Sequence, residues 1–199
     1  MKAPVLALAA LLPLLAALPP GVDRAKLIGS PNAPILMEIF SSFDCPHCKV
    51  LHEELLPRLI RDYVTPGKLA ILSREYPLWG QYHPYARQAA DYATAAARIG
   101  KYEQVADTLF KNQFAWTSNG QVWETVASVL TAPEQKRVEA LAKDPGVVAE
   151  VQKDVDLATK DSVNQTPSIF LTAKGKRFPM TPGVPSYELL KALLDDQLK

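Results

Sequence analysis

Ser41-Ser42-Phe43-Asp44-Cys45-Pro46-His47-Cys48 holds both cysteines of the chain, and the residues on either side of it decide how it is read. Before it, Ile35 to Phe40 is a short apolar run interrupted only by Glu38 and bounded by turn formers, which predicts a buried strand. After it, Val50, Leu51, Leu55, Leu59 and Ile60 recur at helical spacing, and Pro46 suits the first residue of that helix. Pro57 is expected to kink the helix, because an interior proline removes a backbone hydrogen bond. The two cysteines therefore sit on a strand-to-helix turn.

That placement carries chemistry. The first turn of a helix presents unpaired backbone N–H groups and a partial positive charge, which favour a thiolate, and the thiolate is the species that attacks disulfides. Cys45, at the edge, is expected to be the exposed nucleophile; Cys48, one turn in, is expected to face the protein as the resolving thiol. A Cys45–Cys48 disulfide closes a very small ring and adds little stability, so reactivity explains the pair better than architecture. His47, between the cysteines, adds a second positive charge when protonated; the competing reading is an exposed histidine without a role. A zinc site would have to recruit His52 and His83, which are oddly spaced for it. A c-type haem attachment fails because Lys49, not histidine, follows Cys48.

The chain has 199 residues, 48% hydrophobic and 22% charged, enough for one domain with a proper core. Lys plus Arg number 22 against 21 Asp plus Glu, and a net charge of +1 argues against nucleic acid or an anionic membrane surface as partner. Ala3 to Leu18 is uncharged, follows Lys2 and is broken by Pro13. It reads as a signal peptide over residues 1–18, short of the about 20 apolar residues of a membrane span, and it implies a periplasmic or other extracytoplasmic protein, either cleaved or anchored by residues 3–18. Residues 19–33 read as a linker and 34–199 as the domain.

Within the domain, Leu69 to Leu72 reads as a second strand, giving a strand-helix-strand unit with a right-handed parallel crossover. From about 82 to 161 the periodicity is helical, divided by a capping box at Thr131 and Glu134 and a helix start at Asp144-Pro145. Ser168 to Thr172 returns to strand, Ala173 to Lys176 turns, and Arg177 to Met180 pairs back. A last helix from Ser186 offers Leu189, Leu190, Leu193 and Leu194 to the sheet.

Together with Gly29-Ser30-Pro31-Asn32-Ala33-Pro34, Arg74-Glu75-Tyr76-Pro77-Leu78, His83-Pro84 and Thr166-Pro167-Ser168, the CPHC turn resembles the DsbA-like thioredoxin family from about Gly29 to the C-terminus. The resemblance implies an α/β thioredoxin-like fold with a helical subdomain inserted between the second strand and the cis-proline strand. It implies that Pro167 is cis beside the cysteines, with Thr166 offering backbone to an extended substrate, and that Glu38 lies beneath Cys48 and assists its proton transfer. Without the resemblance, Pro167 would be an ordinary trans proline and Glu38 could face solvent. The family often reads Phe-Ser-Asp before the aromatic residue, where this chain has Phe40-Ser41-Ser42-Phe43-Asp44.

The expectation is a monomeric thiol-disulfide oxidoreductase with no bound cofactor. It introduces disulfides into exported client proteins through mixed disulfides at Cys45 and is recycled at its CPHC pair by a membrane redox partner. A reductase or isomerase on the same fold, and a non-catalytic thiol-dependent client-binding protein, are the alternatives.

Overall fold

The computed structural model describes residues 22–199; the expected signal peptide lies outside them. Five strands form one mixed sheet in the order β1-β3-β2-β4-β5. The central strands β2 (Ile35–Ser41) and β3 (Leu69–Glu75) run parallel, with Ile39 opposite Ser73 and Ser41 opposite Glu75. On the other side of β2, β4 (Ser168–Ala173) runs antiparallel and is followed by the edge strand β5 (Lys176–Pro179). Lys174 and Gly175 both take positive φ in the two-residue turn between them, which matches the twist of a tight hairpin.

Residues 24–28, expected within the linker, belong to the fold instead: Arg24–Lys26 forms a 3-10 turn, and β1 (Leu27–Ile28) pairs antiparallel with β3, Leu27 opposite Leu72 and Ile28 opposite Ile71. The apolar pair Leu27-Ile28 covers the edge of β3, and the buried ammonium of Lys26 finds carboxylates at Glu75 and Asp154. Gly29 is required by the turn that follows, with φ +97° and a hypothetical Cβ only 2.6 Å from Val64 Cγ1.

Strand alternation divides the sheet into two faces. Ile35, Met37, Ile39, Leu69 and Ile71 pack on Leu51, Leu55 and Leu59 of the helix after the CPHC turn and on Leu190 and Leu194 of the last helix, α9 (Tyr187–Gln197). Of the apolar stripe expected on α9, Leu189 instead remains exposed. The CPHC helix starts as α1 (Pro46–Val50) and continues through a π turn (Leu51–Leu55), α2 (Leu56–Leu59) and a second π turn (Ile60–Val64). The disturbance expected at Pro57 thus takes the form of π turns in a continuing helix. On the opposite face, Phe40 and Phe170 meet Ala158 of α8 (Pro145–Lys160).

Between β3 and β4 lie α3 (Ala86–Ala97), α4 (Tyr102–Lys111), α5 (Gln113–Asn119), α6 (Val122–Ala127), α7 (Ala132–Leu141) and α8. Their core includes Leu109, Phe110 and Trp116, and it also includes Phe43, Cys45 and Cys48. The cysteine turn is therefore packed into the seam between the sheet unit and the inserted helices. The capping box at Thr131 forms, and Asp144 caps α8 by accepting from Gly146 N at 2.7 Å.

Candidate active site

Cys45 is the N-cap of α1, with Pro46 and His47 exposed beyond it and Cys48 buried one turn on. Both sulfurs are free thiols and both cysteines are buried: Cys45, expected to be exposed, is only 5% exposed because it packs into the core of the inserted helices and against Thr166. The Cys45 thiol is drawn down to about 5, first by the hydrogen bond it receives from the Cys48 thiol, then, against the cost of burial, by the Thr166 side chain and the backbone N–H groups of Cys48 and His47. As a thiol, Cys45 donates to Thr166 O at 3.4 Å. The Thr166 hydroxyl is buried and has no other partner, so it is available to donate once Cys45 is a thiolate. Burial, followed by the negative charge at Cys45, pushes the Cys48 thiol far up. One sulfur is thereby prepared to attack and the other to hold its proton.

The Thr166-Pro167 peptide is cis and lies against Cys45. His47 reaches the Cys45 sulfur through its backbone N–H, while its ring stays on the exposed surface.

Glu38 lies elsewhere than expected. It shares a face with Phe40, as alternation requires, but that is the face turned away from the CPHC helix. Its carboxylate is fully engaged by Arg74, at 2.8 Å, and by Arg177, at 2.6 Å, so it does not lie beneath Cys48. On the face where Cys48 packs, the β2 positions are Ile39 and Ser41.

Several residues that the sequence reading did not select hold the turn in place. Gln113 Nε2, buried in α5, donates to Phe43 O at 2.7 Å and to Cys45 O at 3.0 Å. Lys49 Nζ donates to Phe110 O at 2.7 Å, satisfying a carbonyl at the C-terminal end of α4. Asp44, next to Cys45, accepts from Ser42 Oγ at 2.5 Å and pairs with His83 Nδ1 at 2.6 Å, while Ser42 Oγ accepts from Leu78 N at 3.1 Å. Their only sequence signal is that Gln113, Asp44 and Ser42 are polar residues in apolar surroundings. His52 pairs with Asp107 at 2.6 Å, so each histidine considered for a zinc set is committed to a carboxylate of its own.

Two buried thiols, one depressed and one raised, on a strand-to-helix turn against a cis-proline loop, define a dithiol suited to thiol-disulfide exchange. A thioredoxin family model matches residues 22–196. The Bacillus anthracis protein named "Probable disulfide bond formation protein D" is 26% identical over 182 residues, covering 86% of this chain and 77% of that protein. The crystal structure of oxidised BdbD from Bacillus subtilis superposes with a TM-score of 0.72 at 21% identity, over 87% of this chain and 92% of that one. A match of 28% identity also spans 89% of this chain but only 26% of the Salinispora tropica Na(+)/H(+) antiporter NhaA 3. The chain belongs to the thioredoxin family and, within it, is a DsbA-like thiol-disulfide oxidoreductase.

Proposed function

We propose that the chain works in the oxidising direction, donating a Cys45–Cys48 disulfide to thiols of exported client proteins. Cys45 is the atom attacked and Cys48 the leaving and resolving sulfur. The observation that carries this reading is the depressed Cys45 thiol: whatever stabilises the thiolate stabilises the reduced protein and makes its disulfide a better electron acceptor. Thr166 and Pro167 form the edge on which an extended client segment lies beside Cys45, Thr166 supplying a backbone carbonyl already in contact with the sulfur.

Residues 1–18 are the export signal in this proposal, removed or kept as an anchor, and a membrane redox partner re-oxidises the pair. Among the described residues no helix is long and apolar enough to cross a membrane. The relatives named for disulfide bond formation support the direction of electron flow.

Cys48→Ala tests the roles. With the resolving thiol removed, Cys45 is expected to accumulate mixed disulfides with clients, visible as reducible bands on non-reducing gels. Trapping by Cys45→Ala instead of Cys48→Ala would reverse the assignment, and parent-level oxidation of a reduced client by Cys45→Ala would overturn it.

A further inference from the structure

An acidic residue stands directly before the reactive cysteine. Asp44 and Cys45 are consecutive, so their Cα atoms are about 3.8 Å apart, and the Asp44 side chain is only 4% exposed. Two side chains hold its carboxylate: Ser42 Oγ donates to Oδ1 at 2.5 Å, and His83 Nδ1 meets Oδ2 at 2.6 Å. An ionised carboxylate only accepts, so Nδ1 of His83 is the donor there. Ser42 is fixed in turn by Leu78 N, which donates to its Oγ at 3.1 Å. The segment between β3 and α3 thus grips the residues before Cys45 at two points, Ser42 and Asp44. A tight turn shapes that segment, with His83 N donating to Gly80 O at 3.0 Å and Gly80 at φ +96°.

A buried carboxylate beside a sulfur that must become a thiolate works against the reaction unless its charge is met. Like charges close together disfavour each other's ionised form, and water does little to screen a side chain this deeply buried. Two unit charges on neighbouring side chains, at the effective dielectric of a protein site, shift a titration by roughly one to two pH units. The other charged side chains on the elements that meet here are engaged or turned outward. Lys49 is held by Glu53 and the Phe110 carbonyl, Arg87 by Asp91 at 2.9 Å, and His47 is exposed. α5 and residues 163–167 carry no charged side chain. Among the described residues, the ionisable partner of Asp44 is His83.

We propose that His83 tunes the dithiol through Asp44: by holding that carboxylate it shields Cys45 from the negative charge next to it in the chain and keeps the Cys45–Cys48 disulfide a good electron acceptor. The inference rests on the reading of Cys45 as the attacked sulfur. His83 is a positioning residue in this account, since it acts on Asp44 and makes no contact with the client. As an imidazolium it cancels the carboxylate's charge; as a neutral ring it still donates Nδ1–H and draws that charge away from the sulfur. The histidine inside the CPHC motif keeps its ring on the surface, whereas this one, 39 residues beyond Asp44 in the chain, is bound to the turn.

The test measures, on the full chain and its variants, the pH dependence of Cys45 alkylation and the reduction potential against glutathione. His83→Phe keeps an aromatic ring and removes the donor. It should raise the Cys45 titration by about one pH unit, which at neutral pH is about tenfold in the exchange equilibrium, or about 30 mV towards the reducing side. Asp44→Asn removes the charge itself and should leave Cys45 titrating at or below the parent pH. Both variants break the same contact, so simple loosening of the turn would move them in the same direction. In the Asp44→Asn background, adding His83→Phe should shift nothing further. His83→Asn, whose amide donates from near the place of Nδ1, should recover part of the parent value. An unmoved titration in His83→Phe, a rise in Asp44→Asn, or an undiminished His83→Phe shift in the Asp44→Asn background would overturn the proposal. A parent potential near that of thioredoxin, with these shifts intact, would leave it standing and contradict the donor role instead.

Discussion

Cys45 links thiol chemistry to stability. Its folded thiol sits at about 5 against an ordinary value of 9.0, so the reduced fold gains stability from it at neutral pH and loses that gain as pH falls towards 5. The disulfide form lacks this group. Denaturant unfolding should therefore find the stability difference between reduced and oxidised protein shifting against the reduced form between pH 7 and pH 5; a pH-independent difference would contradict the depressed thiol. Glu38 makes the opposite kind of prediction. It is buried between Arg74 and Arg177, and removing one partner from a buried ionic network costs about 3–5 kcal/mol. Glu38→Ala should thus lower the denaturation midpoint strongly while leaving the pH at which Cys45 becomes alkylated unchanged. The sequence showed that Glu38 and Phe40 share a strand face, but which face met the CPHC helix was invisible in six residues. It depended on partners at positions 74, 154 and 177, far away in the chain.

At the scale of elements, the inserted helices hold the active turn as well as covering it. Gln113 from α5 and Lys49 reaching to the end of α4 tie the two units together around Cys45. Gln113→Leu would leave Phe43 O and Cys45 O without that donor, and an unsatisfied buried acceptor costs about 1–3 kcal/mol. The variant should unfold at lower denaturant concentration and show broadened or shifted amide signals around Cys45; unchanged spectra there would mean that α5 does not position the turn. The strands 35–41 and 168–173, the hairpin and the helix caps were legible because each depends on local alternation, turn residues or capping side chains. β1 was not legible: two residues carry no periodicity, and their strand character comes entirely from the exposed edge of β3 beside them. The π turns were legible only as a disturbance around Pro57, since sequence does not specify how a helix absorbs a missing N–H.

Across the whole molecule, the sheet supplies the strand end and the cis-proline loop, the inserted helices close over the turn, and a chain of charges, buried from Glu75 to Glu38 and reaching the surface at Arg177, crosses the sheet. Glu75, Lys26, Asp154, Arg74, Glu38, Arg177 and Asp161 alternate in sign along that chain and join β1's leading turn, β2, β3, α8 and β5. This arrangement places both cysteines in the packed seam, Cys45 5% exposed and Cys48 1%. The proposed donor role requires a disulfide that is readily reduced. The equilibrium reduction potential of the Cys45–Cys48 pair, measured against glutathione redox buffers with the full chain, tests this most directly. A value above about −200 mV, on the oxidising side of the glutaredoxins, is expected, whereas one near the about −270 mV of thioredoxin would contradict the donor role and make the protein a reductant.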